Sequence, residues 1–336
     1  MSAAPGSSLL ARYAGIVCDL DGVVYRGPEA IPGAIDSLNA LTSPVIYATN
    51  NASRTPHDVA AHLSQLGLRV SESDVLTSSM AGAAEIAGRF PAGSRILAIG
   101  GPGVAIALRD AGLEPVAAPE PDVVAVLQGY GPDVRARELA DAAYVIGGGA
   151  LHVATNTDLT LPTERGPAPG NGSFVQCVVN ASGVAPVVVG KPFAALYLLS
   201  TQALGLSPEH VLGVGDRLET DIEGATAAGM DGALVLTGVH GARDAALADP
   251  TARPRWIIGE LAELHAPYDE PVTGADGVVT CGQARARLDG DQLTVDGSAD
   301  PRELMRAGVA AVWRYLDSGG DPARARVLTE QFPDRV

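Results

Sequence analysis

The sequence predicts an α/β protein with a Rossmann-like, doubly wound parallel sheet core, an inserted α/β cap domain and a small C-terminal α+β appendage. Short β-type runs alternate with helical stretches almost from end to end, which is typical of βαβ units around a parallel sheet. With 336 residues, the chain is long for a single hydrophobic core. From about Tyr268 it becomes polar and rich in glycine, which indicates a separate small unit.

Short apolar runs bounded by turn residues predict the strands. They cover residues 16–20, 45–49, 96–99, 123–127, 153–155, 187–189, 211–214, 233–236 and 256–258. Helical patterns lie between them, for example at 56–66, 194–204 and 220–228. The run IGGPGVAIAL (99–108) follows a strand and opens a helix, but it lacks the G-x-G-x-x-G spacing of a dinucleotide site. We therefore expect only a tight strand-to-helix turn there.

The last part of the chain carries local signals of its own. The segment ARLDGDQLTV predicts a β-hairpin around an Asp-Gly turn. A helix should follow, with Asp300 as N-cap, Pro301 at the first helical position and Glu303 in the first turn. Its apolar stripe is formed by Met305, Val309, Val312 and Leu316.

A long insertion separates two polar strand ends. Between Thr49 and Lys191 lie 141 residues, far more than one βαβ crossover needs. We therefore expect a discontinuous core of residues 1–81 and 187–267, a cap of residues 82–186 and an extension of residues 268–336. A lid of that size would exclude bulk water and restrict the substrate to small molecules.

Composition and charge narrow the class of protein. The net charge of −16 disfavours binding to nucleic acid or to an acidic membrane surface. No apolar run approaches the ~18 residues of a spanning helix, and the first residues lack the basic start of a secretory signal. The three cysteines are far apart and form no metal-binding pattern, as in reduced cytoplasmic proteins. We expect a cytoplasmic protein with a small-molecule partner and with no nucleic-acid or membrane partner. Assembly into a homo-oligomer is compatible with these features.

Acidic residues follow two of the predicted strands. In GIVCDLDGVVY, Asp19 and Asp21 stand at the end of an apolar strand, where open α/β sheets place their ligands. In VLGVGDRLETDIEGATAAGM, a strand delivers Asp216 into a glycine-flanked loop, and Asp221 lies in the first turn of the next helix. The structural alternatives are an Asp-Gly turn with solvated acids and a helix-dipole interaction at Asp221. The second alternative does not explain Asp216, which precedes the helix.

Two further strands end in groups that suit an anion. VIYATNN ends in Thr49, Asn50 and Asn51, whose hydroxyl and backbone N–H groups form an anion cradle, although Thr-Asn-Asn is also ordinary turn chemistry. Lys191, in VVVGKPF, is the only lysine beside 22 arginines. Because lysine is a compact point charge and arginine a flat fork, a tight site beside a small anion would retain the lysine. Chance survival at the surface is the alternative.

These four motifs, in this order, resemble the signature of the haloacid dehalogenase-type phosphohydrolases. The resemblance covers roughly residues 12–265 and is closest to the branch with a large α/β cap, which includes 4-nitrophenylphosphatases and phosphoglycolate phosphatases. Length, composition and the extra tail look most like glycerol-3-phosphate phosphatases of actinobacteria. The cap segment 154–173 is also similar, through Asn156, Asp158, Pro162, Pro169, Gly170 and Gly172.

The resemblance implies a Mg²⁺-dependent phosphatase. Asp19 would be the nucleophile that forms an aspartyl-phosphate, and Asp21 the general acid and base. The carboxylates of Asp19 and Asp216 and the main-chain carbonyl of Asp21 would hold the ion. Dehalogenation is disfavoured, because carbon–halogen displacement does not need the metal site that Asp21 and Asp216 provide.

The same resemblance implies a phosphate-binding group and a substrate. Lys191, oriented by Asp221, would neutralise the charge on the phosphoryl oxygens. The cap loop 156–173 would reach the alcohol end of the substrate. The alternative is that the loop is a structural turn rich in asparagine, proline and glycine. Glycerol 3-phosphate is the favoured substrate and phosphoglycolate its nearest competitor, with a phosphotransferase or phosphomutase, or a non-enzymatic binding module, as alternatives. The oxygens of the phosphoryl group would be cradled by Thr49 and the amides of Asn50 and Asn51.

Overall fold

The structure is a computed structural model that describes residues 7–163, 165–290 and 292–336. It divides into two compact units, one of residues up to Val45 with Leu206–Val336 and one of Ile46–Gly205. The expected limits of core, cap and extension fall inside these units and remain predictions. Glu164 of the cap segment and Asp291 of the C-terminal hairpin lie outside the described residues.

Strands and helices alternate along most of the chain, as the sequence predicts. The strands are β1 (Gly15–Cys18), β2 (Tyr25–Arg26), β3 (Glu29–Ala30), β4 (Val45–Thr49), β5 (Val75–Thr77), β6 (Arg95–Ile99), β7 (Glu114–Val116), β8 (Val123–Gln128), β9 (Leu151–Ala154), β10 (Thr160–Thr163), β11 (Gly166–Pro169), β12 (Val187–Val188), β13 (Val211–Gly215), β14 (Asp231–Val235), β15 (Trp256–Ile258), β16 (Val272–Thr273), β17 (Val279–Cys281), β18 (Ala284–Asp289) and β19 (Gln292–Asp296). The α-helices are α1 (Ala34–Asn39), α2 (Pro56–Gln65), α3 (Ser78–Ala87), α4 (Pro102–Asp110), α5 (Ala136–Gly147), α6 (Asn171–Ser182), α7 (Ala194–Leu204), α8 (Glu223–Ala227), α9 (Ala242–Ala246), α10 (Pro301–Asp317) and α11 (Pro322–Leu328). In the described part of the chain, no helix has the length and apolar character needed to cross a membrane.

The first unit contains a parallel run of strands in the order β15-β14-β13-β1. Cys18, the last residue of β1, lies beside Val214 of β13. Parallel neighbours end at the same edge of a sheet, so the residues that follow β1 and β13 come together there. The parallel α/β architecture is therefore confirmed, and this edge positions the acidic motifs.

The C-terminal extension shares a hydrophobic core with this parallel sheet. Its four strands form an antiparallel sheet in the order β16-β17-β18-β19, and the pairing of β18 with β19 confirms the hairpin. Asp300 caps α10 as predicted, because its carboxylate accepts from the N–H of Arg302. Met305 and Val312 of α10 are fully buried in one cluster with Ile257 of β15. Burial of each such side chain contributes about 1.5–3 kcal/mol.

The second unit is built on a parallel sheet of order β12-β9-β8-β6-β7. It also holds the parallel pair β4 and β5 and the antiparallel pair β10 and β11. β6 ends at Ile99 and α4 begins at Pro102, which confirms the tight strand-to-helix turn. The turn belongs to the same unit as β4 and β12, the strands that carry the threonine and lysine motifs.

Several strand boundaries differ from the sequence predictions. The strand predicted at 16–20 ends at Cys18, because the chain turns and the Leu20 carbonyl accepts from the N–H of Val24. The strands β2, β3, β5, β7, β10 and β11 were not predicted. Each has only two to four residues, too few for a recognisable period of alternation.

Candidate active site

Three carboxylates meet at the edge where β1 and β13 end. The Asp19 N–H donates to the carbonyl of Val214, which holds the start of the first acidic motif against β13. Asp216 and Asp221 are almost fully buried, with 1% and 2% of their surface exposed. One carboxylate oxygen each of Asp19, Asp216 and Asp221 lies within 4.8 Å of the other two. The structure thus brings these three predicted residues together.

Two glycines make room for the carboxylate of Asp216. A Cβ atom at Gly22 or at Gly238 would overlap the Asp216 carboxylate, so only glycine fits at either position beside it. Gly22 also has a φ of +83°, which other residues rarely adopt. Asp216 Oδ2 accepts from the N–H of Val239 at 2.7 Å. The loop after β14 therefore fixes the orientation of Asp216, a role that the sequence reasoning missed.

Asp221 lies in a single π turn, Leu218–Ile222, and not in the regular helix predicted for 220–228. The prediction is wrong in detail because the N–H groups of both Asp221 and Ile222 donate to the carbonyl of Arg217, which widens the turn. The Asp221 carboxylate returns to accept from the Arg217 N–H at 3.1 Å. Single π turns are frequent at functional sites. Here the wide turn places the Asp221 carboxylate in one group with those of Asp19 and Asp216. From the sequence, we expect Asp221 only to orient Lys191.

Asp21 occupies a different environment from Asp19. Its side chain is exposed, and its backbone forms an isolated bridge with Tyr25. Among the described residues, the carboxylates that form the group of three are those of Asp19, Asp216 and Asp221. An exposed carboxyl group exchanges protons readily with water, which suits the acid–base role expected for Asp21.

Thr49 and Asn51 form a compact polar turn at the end of β4. Thr49 is buried, and its hydroxyl oxygen accepts from the N–H of Asn51 at 3.1 Å. The Asn51 side-chain oxygen accepts from both the N–H and the hydroxyl of Ser53. The side chain of Asn51 therefore shapes its own turn, and the Thr49 hydroxyl keeps a proton that it can donate.

The side chain of Asn50 connects the turn after β4 to the main chain of Lys191 through two hydrogen bonds. Its oxygen accepts from the N–H of Lys191 at 2.9 Å, and its nitrogen donates to the Lys191 carbonyl at 3.1 Å. This pair of hydrogen bonds joins residues 141 positions apart. Lys191 is 5% exposed, and its ammonium group lies 3.4 Å from the carbonyl oxygen of Ala48. The structure thus places Lys191 beside the end of β4.

Asn156 and Asn171 extend this polar network, and neither was singled out by chemistry from the sequence. The Asn156 side chain donates to the carbonyl of Asn50 at 2.9 Å, where the Ser78 hydroxyl also donates. The Asn171 side chain donates to the carbonyl of Asn156 at 2.8 Å. Both asparagines are at least 96% buried. Their place in the segment 154–173 was the available signal, but the segment alone gave no partners.

The group of three carboxylates fits a hard divalent cation. Carboxylates this close repel one another, and burial of Asp216 and Asp221 strengthens the repulsion. An all-oxygen donor set with few protein ligands suits Mg²⁺, which keeps several of its waters. The Val239 N–H donates a hydrogen bond to one oxygen of the Asp216 carboxylate. Such hydrogen bonds typically orient the carboxylates that bind metal ions.

Comparisons with known proteins identify the family of this chain. A family model described as haloacid dehalogenase-like hydrolase matches residues 16–114, and a HAD-hydrolase-like model matches residues 188–264. The chain is 40% identical over 323 residues to the D-glycerol 3-phosphate phosphatase of Mycobacterium tuberculosis, which covers 94% of this chain and 91% of the relative. It is 36% identical over 262 residues to the acid sugar phosphatase of Staphylococcus aureus, covering 77% and 99%. The crystal structure of the M. tuberculosis glycerol phosphate phosphatase in complex with magnesium superposes with a TM-score of 0.85 at 38% identity, covering 97% and 99%.

Proposed function

Because the chain belongs to the haloacid dehalogenase-like hydrolases, we propose that it is a Mg²⁺-dependent phosphatase that converts glycerol 3-phosphate to glycerol and phosphate. Its reaction class is that of a phosphoric monoester hydrolase, as in the named relatives. The observation that carries the proposal is the group of Asp19, Asp216 and Asp221 at the end of two parallel strands. The choice of substrate is supported by 40% identity to the M. tuberculosis enzyme over nearly the whole chain.

The chemistry begins with the carboxylate of Asp19. One of its oxygens attacks phosphorus, and the bond from phosphorus to the glycerol oxygen breaks, which leaves an aspartyl-phosphate. Asp21 gives its proton to the departing glycerol oxygen. Asp21 then takes a proton from a water molecule as that water attacks the phosphorus. The bond between phosphorus and Asp19 breaks, and phosphate leaves.

Thr49, Asn51 and Lys191 are proposed to bind the phosphoryl oxygens during both steps. The Thr49 hydroxyl donates a hydrogen bond, and Lys191 supplies a full positive charge. We assign the side chain of Asn50 a role of its own, in addition to the phosphate contact expected of its amide. Both of its amide atoms are engaged with the main chain of Lys191, so it positions the lysine and leaves only its backbone N–H for the substrate.

Asp19, Asp216 and the main-chain carbonyl of Asp21 are the proposed ligands of Mg²⁺, with Asp221 close enough to support or complete the set. When bound, the ion neutralises charge on the carboxylates and on the phosphoryl oxygens. The protein's part is to hold Asp216 still through the Val239 N–H and to keep the site free of side chains at Gly22 and Gly238.

We further propose a cytoplasmic enzyme whose partner is a small phosphorylated metabolite. The net charge of −16 disfavours nucleic acid and acidic membranes as partners. The three cysteines, Cys18, Cys177 and Cys281, are odd in number and far apart along the chain, which is typical of proteins of a reducing compartment. A homo-oligomer is compatible with all of these features.

The test is release of free phosphate from a panel of phosphomonoesters, with Mg²⁺ and with a chelator. Glycerol 3-phosphate, phosphoglycolate, pyridoxal phosphate and 4-nitrophenyl phosphate form the panel. We expect the highest kcat/KM for glycerol 3-phosphate, and a loss on the order of 10⁴-fold or more in Asp19→Asn. Asp36→Asn, which changes an exposed carboxylate of α1, is the matched control.

The same panel separates the alternatives. A higher kcat/KM for phosphoglycolate would replace glycerol 3-phosphate as the substrate within the same reaction class. Transfer of the phosphoryl group to an added alcohol, without release of free phosphate, would indicate a phosphotransferase or phosphomutase. Full activity in Asp19→Asn would contradict the aspartyl-phosphate mechanism.

A further inference from the structure

Residues 332–336, named here the C-terminal segment, lie against the loop that orients Asp216. That loop, residues 236–243, follows β14 and is named the support loop. The Arg335 guanidinium donates to the carbonyl oxygens of Leu236 and Val239, the second at 2.9 Å. One planar guanidinium thus joins two carbonyls three residues apart, which a lysine could not do with the same rigidity.

Asp334 makes a second set of contacts with the same loop. Its main-chain carbonyl accepts from the N–H of Ala242 at 2.9 Å, and its carboxylate accepts from the N–H of Arg243 at 2.8 Å. These N–H groups lie in the first turn of α9, where a helix leaves its donors without internal partners. A Cβ atom at Gly241 would overlap the Asp334 carboxylate. The segment and the loop are therefore shaped to each other.

The opposite side of the support loop holds the metal ligand. Val239 donates its N–H to the Asp216 carboxylate at 2.7 Å, and His240 donates its N–H to the Asp216 carbonyl at 3.1 Å. Val239 therefore gives its N–H to Asp216 and its carbonyl to Arg335. A shift of this one residue would change both contacts together.

The C-terminal segment is itself anchored in the protein core. Phe332 is 3% exposed and belongs to the hydrophobic cluster that contains α10. A Cβ atom at Gly308 of α10 would overlap the Phe332 ring, so the helix and the ring are in close contact. The segment thus contacts α10 through Phe332 and the support loop through Asp334 and Arg335.

We propose that Arg335 is a positioning residue for Asp216, acting through Val239, and that the C-terminal extension thereby sets the affinity of the site for Mg²⁺. The inference rests on the proposed function for the identity of the ion. Contacts that orient metal ligands typically change metal affinity by about 10- to 100-fold. Arg335 acts one residue further away, so we expect a change of about three- to tenfold.

The test is calorimetric titration of the full chain with Mg²⁺, well below its unfolding temperature. We expect binding about three- to tenfold weaker in Arg335→Met and in Gly241→Ala, which opens the same interface from the loop side. The double variant should lose less than the product of the two, because both changes disturb the same interface between the C-terminal segment and the support loop. Arg287→Met is the matched control, since Arg287 is an exposed arginine on β18 of the same extension.

Activity gives a second readout. The Mg²⁺ concentration for half-maximal phosphate release should rise by the same factor, while the rate at saturating Mg²⁺ changes by no more than about twofold. Arg335→Lys, which keeps the charge and loses the fork, should lie between the wild type and Arg335→Met. If Arg335→Met does not fold, Arg335→Lys and Gly241→Ala carry the test.

Equal Mg²⁺ affinity in Arg335→Met and Arg287→Met would overturn the proposal. Lower thermal stability with unchanged affinity would overturn it too, because the segment would then act only on the fold. A wild-type protein that binds Mg²⁺ and releases no phosphate would refute the proposed function. The calorimetric comparison would still decide the role of Arg335.

Discussion

The two groups of site residues are held in place by different means. In the first unit, main-chain N–H groups and glycines position the carboxylates, as Val239, Gly22 and Gly238 do for Asp216. In the second unit, side-chain amides hold main-chain groups in place, as the half-buried Asn50 does for Lys191. A carboxylate that receives a cation needs space and a fixed orientation, which backbone groups supply without competing charge. A lysine loop far along the chain from β4 needs a cross-link, which an amide with one donor and one acceptor supplies.

Within the second group, the largest expected effect lies at the charge of Lys191. Replacement of Lys191 by Met should lower kcat/KM by about 10²- to 10³-fold, because the charge that we propose to face the phosphoryl oxygens is lost. Lys191→Arg should also lose activity, since Lys191 is 5% exposed and a guanidinium is larger than an ammonium group. Phosphate-release kinetics measure both.

Thermal unfolding of the two Lys191 variants provides the control for the fold. Wild-type activity in Lys191→Arg would contradict the view that this position accepts only a compact point charge.

The next effect tests the glycine support of the first group. Gly238→Ala places a methyl group into the Asp216 carboxylate, so we expect Mg²⁺ binding to weaken by about 10- to 100-fold. Gly147→Ala is the matched control, because a Cβ there meets no atom within 4 Å and neither glycine has a positive φ. Calorimetric titration with Mg²⁺ compares the two, and equal affinities would contradict the assigned role of Gly238.

A smaller effect tests the amide support of the second group. Asn50→Asp retains an oxygen that can accept from the Lys191 N–H, but it loses the donor to the Lys191 carbonyl at 3.1 Å. We expect kcat to fall roughly tenfold with a smaller change in KM, since one such bond contributes about 1–1.5 kcal/mol to the position of the lysine.

Asn180→Asp is the matched control for Asn50→Asp, because Asn180 is an exposed residue of α6 whose side-chain oxygen accepts from Gln176 of the same helix. An Asn50→Asp variant with unchanged kcat would contradict a positioning role.

The smallest expected effect is a dependence of stability on pH, which arises in the second unit. His152 is buried, with a ring nitrogen 3.0 Å from the side-chain oxygen of Gln128, and burial lowers its pKa from 6.5 to about 4. Between about pH 6.5 and pH 4, His152 therefore binds a proton in the unfolded chain but not in the folded chain. Stability should fall as the pH drops from 6.5 towards 4, by on the order of 2 kcal/mol between pH 7 and pH 5.

Urea unfolding at pH 7 and pH 5 measures this effect. His152→Gln should remove the His152 contribution to the pH dependence, while His57→Gln, which changes an exposed histidine, should leave it in place. A His152→Gln variant with the same pH dependence as the wild type would show that the acid sensitivity arises elsewhere.

Local patterns in the sequence determined much of the fold. The bounds of β4, β15 and α7 are those predicted, because each is a continuous apolar or helical run with clear turn residues at its ends. The cap of α10 and the hairpin of β18 and β19 also follow from residues close together in the chain. Asp19 and Asp216 could be assigned to one sheet edge because parallel strands end together.

Only the tertiary structure decided how these residues are supported. The Asn50–Lys191 pair joins positions 141 apart, and the bonds from Arg335 to the support loop join positions 99 and 96 apart. The need for glycine at position 238 depends on Asp216, which lies on another strand end. The π turn at Asp221 likewise departs from the regular helix that the local pattern predicts. Sequence patterns report the period and the ends of an element, whereas these contacts depend on which distant atoms the packed elements bring within hydrogen-bonding distance.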